Sequence, residues 1–162
     1  IENRYGIKID WYFPRREDVE KMVGEKGPFS FRESLANRRQ CCGIRKVEPL
    51  NRALSGLAAW VTGIRRDQNS TRENARKIEI DDEHGGLVKV NPLADWSAED
   101  IKNYVTEHKL PYNSLFEKGY SSIGCACCTR AIEPGEDPRA GRWWWEHPDN
   151  KECGLHVRNW QI

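Results

Sequence analysis

Three short segments decide the fold class of this chain: LAAWVTGI (57–64), KIEID (77–81) and LVKVNPL (87–93). Each is short and contains β-branched residues, and each lies beside polar or glycine-containing sequence, which is typical of a strand. Apolar residues at helical spacing precede them in 42–54, and a Ser97–Asp100 capping box predicts a helix over 97–110, before Pro111. Strands that alternate with helices predict an α/β domain.

Other segments complete this outline. IKIDWYF (7–13) alternates apolar and polar residues, so it predicts a further strand. Residues 16–24 and 30–40 predict two charged, weakly amphipathic helices. The polar stretch 65–74 predicts a loop. Residues 121–162, which are rich in Gly, Pro, Trp and Cys, predict loops and short turns around a site.

Composition excludes several classes of protein. Of the 162 residues 31% are charged, and no apolar run approaches the roughly 20 residues that span a bilayer, so we expect no membrane protein. The opening IENRYGIKID does not resemble a signal peptide, and a net charge of +1 gives no general attraction to nucleic acid. Because the chain opens on Ile1 and its one methionine is Met22, we expect it to be a fragment of a longer protein.

The six cysteines form two tight groups and one isolated thiol: Cys41 and Cys42, then Cys125, Cys127 and Cys128, then Cys153. This distribution, without a secretory signal, indicates a reducing cytoplasm and a metal or cluster site rather than a disulfide scaffold. The two groups supply four soft ligands for zinc or an iron–sulfur cluster, and the x-x spacing favours Cys125 and Cys128 over Cys127. The adjacent pair suits a bulky cluster better than a zinc ion. A structural Cys₄ zinc module and reduced packing cysteines are the alternatives.

Cys153 lies in the segment ECGLH (152–156), where a glycine and a nearby His156 are typical of a reactive thiol. An incidental free thiol is the alternative interpretation. Cationic side chains that suit an oxyanion occur elsewhere in the chain. They are Lys46, Arg65, Arg66, Arg72, Arg139 and Arg142, and the last is followed by Trp143, Trp144 and Trp145.

These motifs, in this order, resemble the assimilatory adenylyl-sulfate reductases, the iron–sulfur branch of the adenylyl-sulfate and 3′-phosphoadenylyl-sulfate reductase family. The matching segments are CCGIRKVEPLNRAL, AWVTGIRRDQNSTREN, LPYNSLFEKGYSSIGCACCT, RAGRWWW and KECGLH. The resemblance implies an adenine-nucleotide α-hydrolase-like domain of the PP-loop ATP pyrophosphatase type, with a loop-rich C-terminal segment that binds the cluster. Two differences from the family stand out. Cys127 replaces a residue that is usually not cysteine, and the N-terminal portion with its Ser-Gly-Gly-type loop is missing.

The resemblance also implies roles for individual residues. Cys41, Cys42, Cys125 and Cys128 would hold a [4Fe-4S] cluster, and Cys153 would be the nucleophile. The phosphosulfate pocket would be lined by Lys46, Arg139, Arg142 and His156, with Arg72 as a further candidate. We expect residues 1–145 to form the partial reductase domain and residues 146–162 to form a mobile tail that carries Cys153.

The implied reaction is thiol-dependent reduction of adenylyl sulfate to sulfite and AMP, a step of sulfate assimilation toward cysteine. Both cysteine pairs mark the branch that uses adenylyl sulfate, and a reductase of the 3′-phosphorylated nucleotide is the alternative. The reductant would be thioredoxin or a glutaredoxin-like protein. Neither nucleic acid nor membrane is an expected partner, and self-association into a homo-oligomer is compatible with these features.

Overall fold

The chain divides into two compact units in the computed structural model, which describes residues 1–147 and residue 155. The first unit comprises Ile1–Phe13 and Val47–Pro111. The second comprises Pro14–Lys46 and Tyr112–Ile162, two segments that are far apart in the sequence. The predicted division at residue 145 stays a prediction.

A small mixed sheet lies in the first unit. Its strands are β1 (Ala59–Val61), β2 (Ile78–Asp81) and β3 (Leu87–Val90), in the order β1-β3-β2. β1 runs parallel to β3, and β2 runs antiparallel to it. The three predicted strands of this region are therefore confirmed, and β1 and β2 form the edges of the three-stranded sheet.

The two faces of this sheet differ in an unexpected way. Asp81 and Lys89 are buried on one face, where the indole Nε1 of Trp60 donates to Asp81 Oδ2 at 3.1 Å. The other face carries apolar side chains that are largely exposed, such as Val61 and Ile80. Because successive side chains of a strand point to opposite faces, Trp60 of β1 is half-buried and Val61 is exposed. The apolar run 57–64 predicts a buried strand; the strand exists, but the predicted burial is wrong.

Three helices accompany the sheet in the first unit: α1 (Glu2–Tyr5), α4 (Glu48–Leu54) and α5 (Ala98–Glu107). The predicted capping box of α5 is present, because Ser97 Oγ accepts from Asp100 N at 3.0 Å and Ser97 N donates back to the Asp100 carboxylate. The helix ends at Glu107 instead of Leu110. Lys109 has a left-handed backbone with φ 49°, which turns the chain before Pro111.

The strand predicted over residues 7–13 does not form. These residues have no regular structure, and Trp11 is 72% exposed. A strand needs a partner for its backbone hydrogen bonds, and alternation in the sequence supplies the side-chain pattern but no partner. The prediction was therefore wrong for the chain as described.

Helices α2 (Arg16–Lys26) and α3 (Leu35–Cys42) begin the second unit. The predicted helix over 16–24 is confirmed. The helix predicted over 30–40 begins later, because residues 30–32 form a 3-10 turn and Ser34 caps α3 by accepting from Asn37 N at 3.1 Å. A π-helical turn, Gly43–Val47, continues directly from α3.

The described residues of the second unit after residue 112 form short turns, which were predicted from residue 121 onward. Two are 3-10 turns, Ser114–Lys118 and Ala126–Cys128, and an antiparallel bridge joins Thr129 to Arg142. Across the described part of the chain, no helix has the length and apolar character needed to cross a membrane.

Candidate cysteine centre

The first cysteine pair lies at the end of helix α3, where the α-helix passes into the π-helical turn. Cys42 is buried and Cys41 is half-buried. Arg45, in the same turn, donates toward Cys41, and its positive charge partly offsets the effect of burial, which raises the pKa of the Cys41 thiol. The chain thus presents both thiols from one helix end.

The second group of cysteines lies on a turn that Thr129 holds closed. Cys128 N donates to Cys125 O at 2.9 Å, and Thr129 Oγ1 donates to the same carbonyl at 3.0 Å. The hydroxyl oxygen of Thr129 also accepts from Gly124 N at 3.1 Å. The Thr129 side chain, at the end of the cysteine turn, therefore bonds two backbone groups at its start.

The structure brings the two predicted cysteine pairs together. Cys42 and Cys128 belong to one buried cluster with Phe31 and Trp143, and Cys41 packs against it. Burial raises the pKa of the Cys128 thiol to about 12, and the charges of Cys127, Cys125 and Cys42 add to this effect. The charges of Cys125 and Cys127 also raise the pKa of Cys41. The five described cysteines form no disulfide.

Two observations bear on whether these residues fit a metal cluster. Among the described residues, no three His, Cys, Asp or Glu side chains are grouped tightly enough to hold a single metal ion. The indole Nε1 of Trp143, however, is buried beside Cys42 and Cys128 without a hydrogen-bond partner among the described residues. A buried donor without an acceptor is costly, and sulfur atoms of a bound cluster would supply acceptors. The soft donor set and the unsatisfied indole fit an iron–sulfur cluster.

Cys127 lies between the two predicted ligands of the second group. Its side chain is exposed, as is that of Cys125, and its Sγ lies 3.8 Å from the Sγ of the buried Cys128. Its carbonyl accepts from Arg32 Nη2 at 3.3 Å, and the Arg32 guanidinium packs over Trp144 and Trp145. Cys127 is therefore anchored through its backbone while its thiol remains accessible.

The predicted anion-binding residues are found in both units. Lys46, Arg139 and Arg142 lie in the second unit with the cysteines, whereas Arg72 lies in the first. Arg72 Nη1 donates to Gln68 Oε1 at 2.7 Å. The structure does not describe Cys153 and His156, which lie outside the described residues.

Arg142 is more deeply placed than the sequence suggests. It is 6% exposed, its Nη1 donates to Ile123 O at 3.1 Å, and its guanidinium packs on Trp143. It also fills the space over Gly124, where a Cβ atom would lie only 2.4 Å from Arg142 Nη2. Arg142 thus contacts the segment that leads into the second cysteine turn, and Arg139, which is half-buried, precedes it by one turn.

Sequence reasoning missed two groups that organise this region. One is Thr129, described above. The other is a buried ion pair between Arg38 of α3 and Glu146. Spacing could have indicated Arg38, because it precedes Cys41 and Cys42 by three and four residues and so shares their helix face.

Comparison with known proteins supports the resemblance on which the site was predicted. A family model described as the phosphoadenosine phosphosulfate reductase domain matches residues 1–131. Adenosine 5'-phosphosulfate reductases from Burkholderia cepacia and Rhizobium tropici are 52% and 51% identical to this chain, over 97% and 96% of its length. The matched regions make up 62% and 86% of those proteins, so the chain spans less than two thirds of the Burkholderia relative.

A solved structure extends the comparison to the fold. The crystal structure of phosphoadenylyl-sulfate (PAPS) reductase from Candida auris, a phosphate complex, is 34% identical in sequence with a TM-score of 0.60. The match covers 76% of this chain and 58% of that one. It confirms the predicted α/β class of the adenine-nucleotide α-hydrolase type. Because the family model matches residues 1–131 and the relatives above are 52% and 51% identical in sequence, the chain belongs to the phosphoadenosine phosphosulfate reductase family.

Proposed function

We propose that this chain is part of an oxidoreductase that reduces adenylyl sulfate to sulfite and AMP in sulfate assimilation, toward cysteine biosynthesis in the cytoplasm. The observation that carries the proposal is that Cys42 and Cys128, one member of each predicted pair, lie in one buried cluster of the second unit, with Cys41 packed against it. Cys125 is exposed, but its charge adds to the effect of burial and raises the pKa of both Cys41 and Cys128. The relatives named adenosine 5'-phosphosulfate reductase support the choice of substrate.

The cofactor of this proposal is a [4Fe-4S] cluster. Cys41, Cys42, Cys125 and Cys128 would hold it, and Trp143 Nε1 would donate to one of its sulfur atoms. Metal binding displaces protons from thiols, so the raised pKa values of Cys41 and Cys128 belong to the metal-free state. When bound, the cluster would supply an electrostatic influence on the neighbouring anion site.

Substrate binding is assigned to the cationic side chains. Lys46, Arg139 and Arg142 of the second unit would bind the sulfate and phosphate oxygens, with Arg72 and His156 as further contributors. A guanidinium donates two parallel hydrogen bonds to an oxyanion, which fixes the orientation of the group to be transferred. Arg142 would in addition keep its place through its bond to Ile123 O.

The chemical steps are assigned to Cys153. Its thiolate attacks the sulfur of adenylyl sulfate, a sulfur–sulfur bond forms, and the bond between sulfur and the phosphate oxygen breaks to release AMP. A thioredoxin or glutaredoxin-like dithiol then attacks the sulfur of Cys153 and releases sulfite. The second thiol of that protein closes its own disulfide and returns Cys153 as a thiol, so the dithiol supplies the two electrons.

Leu155, which follows Cys153 by two residues in the sequence, packs against the buried cluster of Phe31, Cys42, Cys128 and Trp143. We assign Cys153 to the tail predicted over residues 146–162. The first residue of that range, Glu146, is anchored by its buried ion pair with Arg38.

The substrate choice is tested by kinetics with both nucleotides. We expect kcat/KM for adenylyl sulfate to exceed that for 3′-phosphoadenylyl sulfate on the order of 100-fold, because a site fitted to one nucleotide discriminates through its polar contacts. Because the Candida auris relative is named for the 3′-phosphorylated nucleotide, that nucleotide is the relevant competing substrate. Preference for the 3′-phosphorylated nucleotide would contradict the assignment, and zinc in place of iron and sulfide would contradict the cofactor.

A further inference from the structure

A buried ion pair joins helix α3 to the segment after the three tryptophans. Arg38 is 1% exposed, and its Nε lies 2.7 Å from Glu146 Oε1. Arginine is seldom buried this completely, and removing both charges from water is costly. A buried pair of this kind is weak evidence for stability by itself, so the positions that it fixes are of more interest.

On one side, Arg38 is tied to the first cysteine pair. It lies on α3 three residues before Cys41 and four before Cys42. Residues at these spacings share one face of a helix. The helix face that Arg38 anchors is therefore the face that presents the two thiols.

On the other side, the partners of Arg38 are tied to the second cysteine pair. The Arg38 guanidinium packs over the Trp143 ring, 4.5 Å from its centroid, and Trp143 N donates to Cys128 O at 3.1 Å. Glu146 N donates to Trp143 O at 2.8 Å, which closes the turn that carries the carboxylate. Trp143 has a left-handed backbone with φ 40°, a costly conformation that these surrounding contacts maintain.

We propose that Arg38 is a positioning residue that aligns the two cysteine pairs before any metal is bound. It connects Cys41 and Cys42 through α3 to Cys128 through Trp143, and Glu146 fixes the direction of its guanidinium. The inference rests on the proposed function in one respect, since the aligned thiols are the ones assigned to the cluster. The alignment itself is a property of the metal-free chain.

The chain offers a matched control for this ion pair. Arg16 and Glu20 form a pair of the same chemical type at 2.6 Å, but their side chains are 86% and 61% exposed. Surface pairs of this kind contribute little to stability. Met22, which is buried in α2 of the same unit, provides a second control, because Met22→Ala destabilises the unit without touching the link.

The test measures how fast N-ethylmaleimide alkylates Cys42 and Cys128 in the metal-free, reduced full-length protein, with the modified peptides identified by mass spectrometry. We expect Arg38→Met to accelerate both reactions about tenfold relative to Met22→Ala of similar unfolding midpoint, because loss of the link opens the buried thiols locally. Arg16→Met is expected to react like the wild-type protein. Arg38→Lys, which keeps the charge without the planar group, is expected to restore part of the protection.

A double variant distinguishes loss of the alignment from a general loss of stability. Arg38→Met leaves Glu146 buried without its partner, whereas Arg38→Met/Glu146→Leu removes both charges and is expected to regain stability. The double variant should still react about tenfold faster than wild type, because the alignment is lost even where stability is regained. The inference would be overturned if Arg38→Met and Arg38→Met/Glu146→Leu were both alkylated at rates within about twofold of that of Met22→Ala.

Reconstitution with iron and sulfide separates this inference from the proposed function. If the wild-type protein takes up iron and sulfide and the double variant takes up about tenfold less under the same conditions, the alignment acts on the cluster site. If the wild-type protein takes up neither while the alkylation result holds, the cluster assignment fails and the positioning role of Arg38 stands. If both proteins take up iron and sulfide equally, the positioning role fails and the cluster assignment is unaffected.

Discussion

Cys127 and Cys128 are neighbours in the sequence, but their surroundings differ. Cys128 is buried beside Cys42, whereas the Cys127 thiol is exposed. The buried thiol of Cys128 lies in the cluster that includes Cys42. Exposure does not separate Cys127 from Cys125, because both are exposed, so the choice of Cys125 and Cys128 as ligands depends on the x-x spacing and stays a prediction.

This choice of ligands predicts the outcome of single substitutions. Cys128→Ser and Cys42→Ser should each lose iron from the purified holoenzyme, because a hydroxyl is a poor ligand for a soft metal centre. Cys127→Ala should retain iron and sulfide at the wild-type ratio, as measured by chemical analysis and visible absorbance. Full iron in Cys128→Ser together with loss in Cys127→Ala would reverse the assignment.

Arg139 provides the clearest test of anion binding, because it is less deeply buried than Arg142. Arg139→Ala should lower kcat/KM for adenylyl sulfate by an amount equivalent to about 2–3 kcal/mol, the effect of losing a charged hydrogen bond to an oxyanion. Arg142→Ala is a poor single test, since Arg142 also contacts Ile123 of the loop. Arg16→Ala, on the surface of α2, serves as the control. A change under about threefold for Arg139→Ala would give this residue a surface role.

The cysteines and cations could be predicted from the sequence because their chemistry depends on residue type and spacing. Helix spacing places Arg38 on the face of the cysteines, but its burial and its pairing with Glu146 could not be predicted, since a charged residue on a charged helix is normally solvated. Their burial depends on the chain returning to α3 at residues 143–146, more than one hundred positions later. Long-range contacts of this kind leave no local pattern in the sequence.

At the scale of elements, Thr129 controls the cysteine turn. Thr129→Val removes the hydroxyl that bonds Cys125 O and Gly124 N, at a cost of about 1–2 kcal/mol, because Gly124 N loses its acceptor while Cys125 O keeps its bond from Cys128 N. We expect faster release of iron to a chelator from the holoenzyme, and Thr129→Ser should restore the wild-type rate. Equal release rates in the valine and serine variants would show that the hydroxyl does not hold the turn.

The capping box of α5 supports a second prediction at this scale. Ser97→Ala should lower the free energy of unfolding by about 1 kcal/mol, because Asp100 N loses its acceptor. Iron content should be unchanged, since α5 belongs to the first unit. Ser97→Asn, which keeps an acceptor, is the matched control in a urea titration, and equal midpoints for Ser97→Ala and Ser97→Asn would contradict the capping role.

Local signals predicted elements where both the pattern and the partner are local. The capping box of α5 and the strands β2 and β3, joined by a short connection, are of this kind. The segment 7–13 has the pattern of a strand but no partner among the described residues, and the edge position of β1 depends on the order of the sheet. Helix and strand boundaries follow local chemistry, whereas burial follows from what the rest of the chain places nearby.

At the scale of the whole molecule, the two units contribute unequally to the proposed site. The described cysteines all lie in the second unit, together with Lys46, Arg139 and Arg142. That unit combines segments from 14–46 and from 112 onward, so its assembly requires contacts over long sequence separations. The motifs along the chain predicted a site built from both cysteine groups, and the fold places Cys42 and Cys128 in one buried cluster.

The proposed reaction depends on Cys153, which would carry the transferred sulfur group. The most direct measurement is intact-mass analysis of the holoenzyme after incubation with adenylyl sulfate in the absence of a thiol reductant, followed by peptide mapping. We predict a mass increase of one SO₃ group on Cys153, release of AMP in equal amount, and loss of the adduct with release of sulfite when reduced thioredoxin is added. Normal turnover of adenylyl sulfate by Cys153→Ser, or an adduct that maps to another cysteine, would contradict the account.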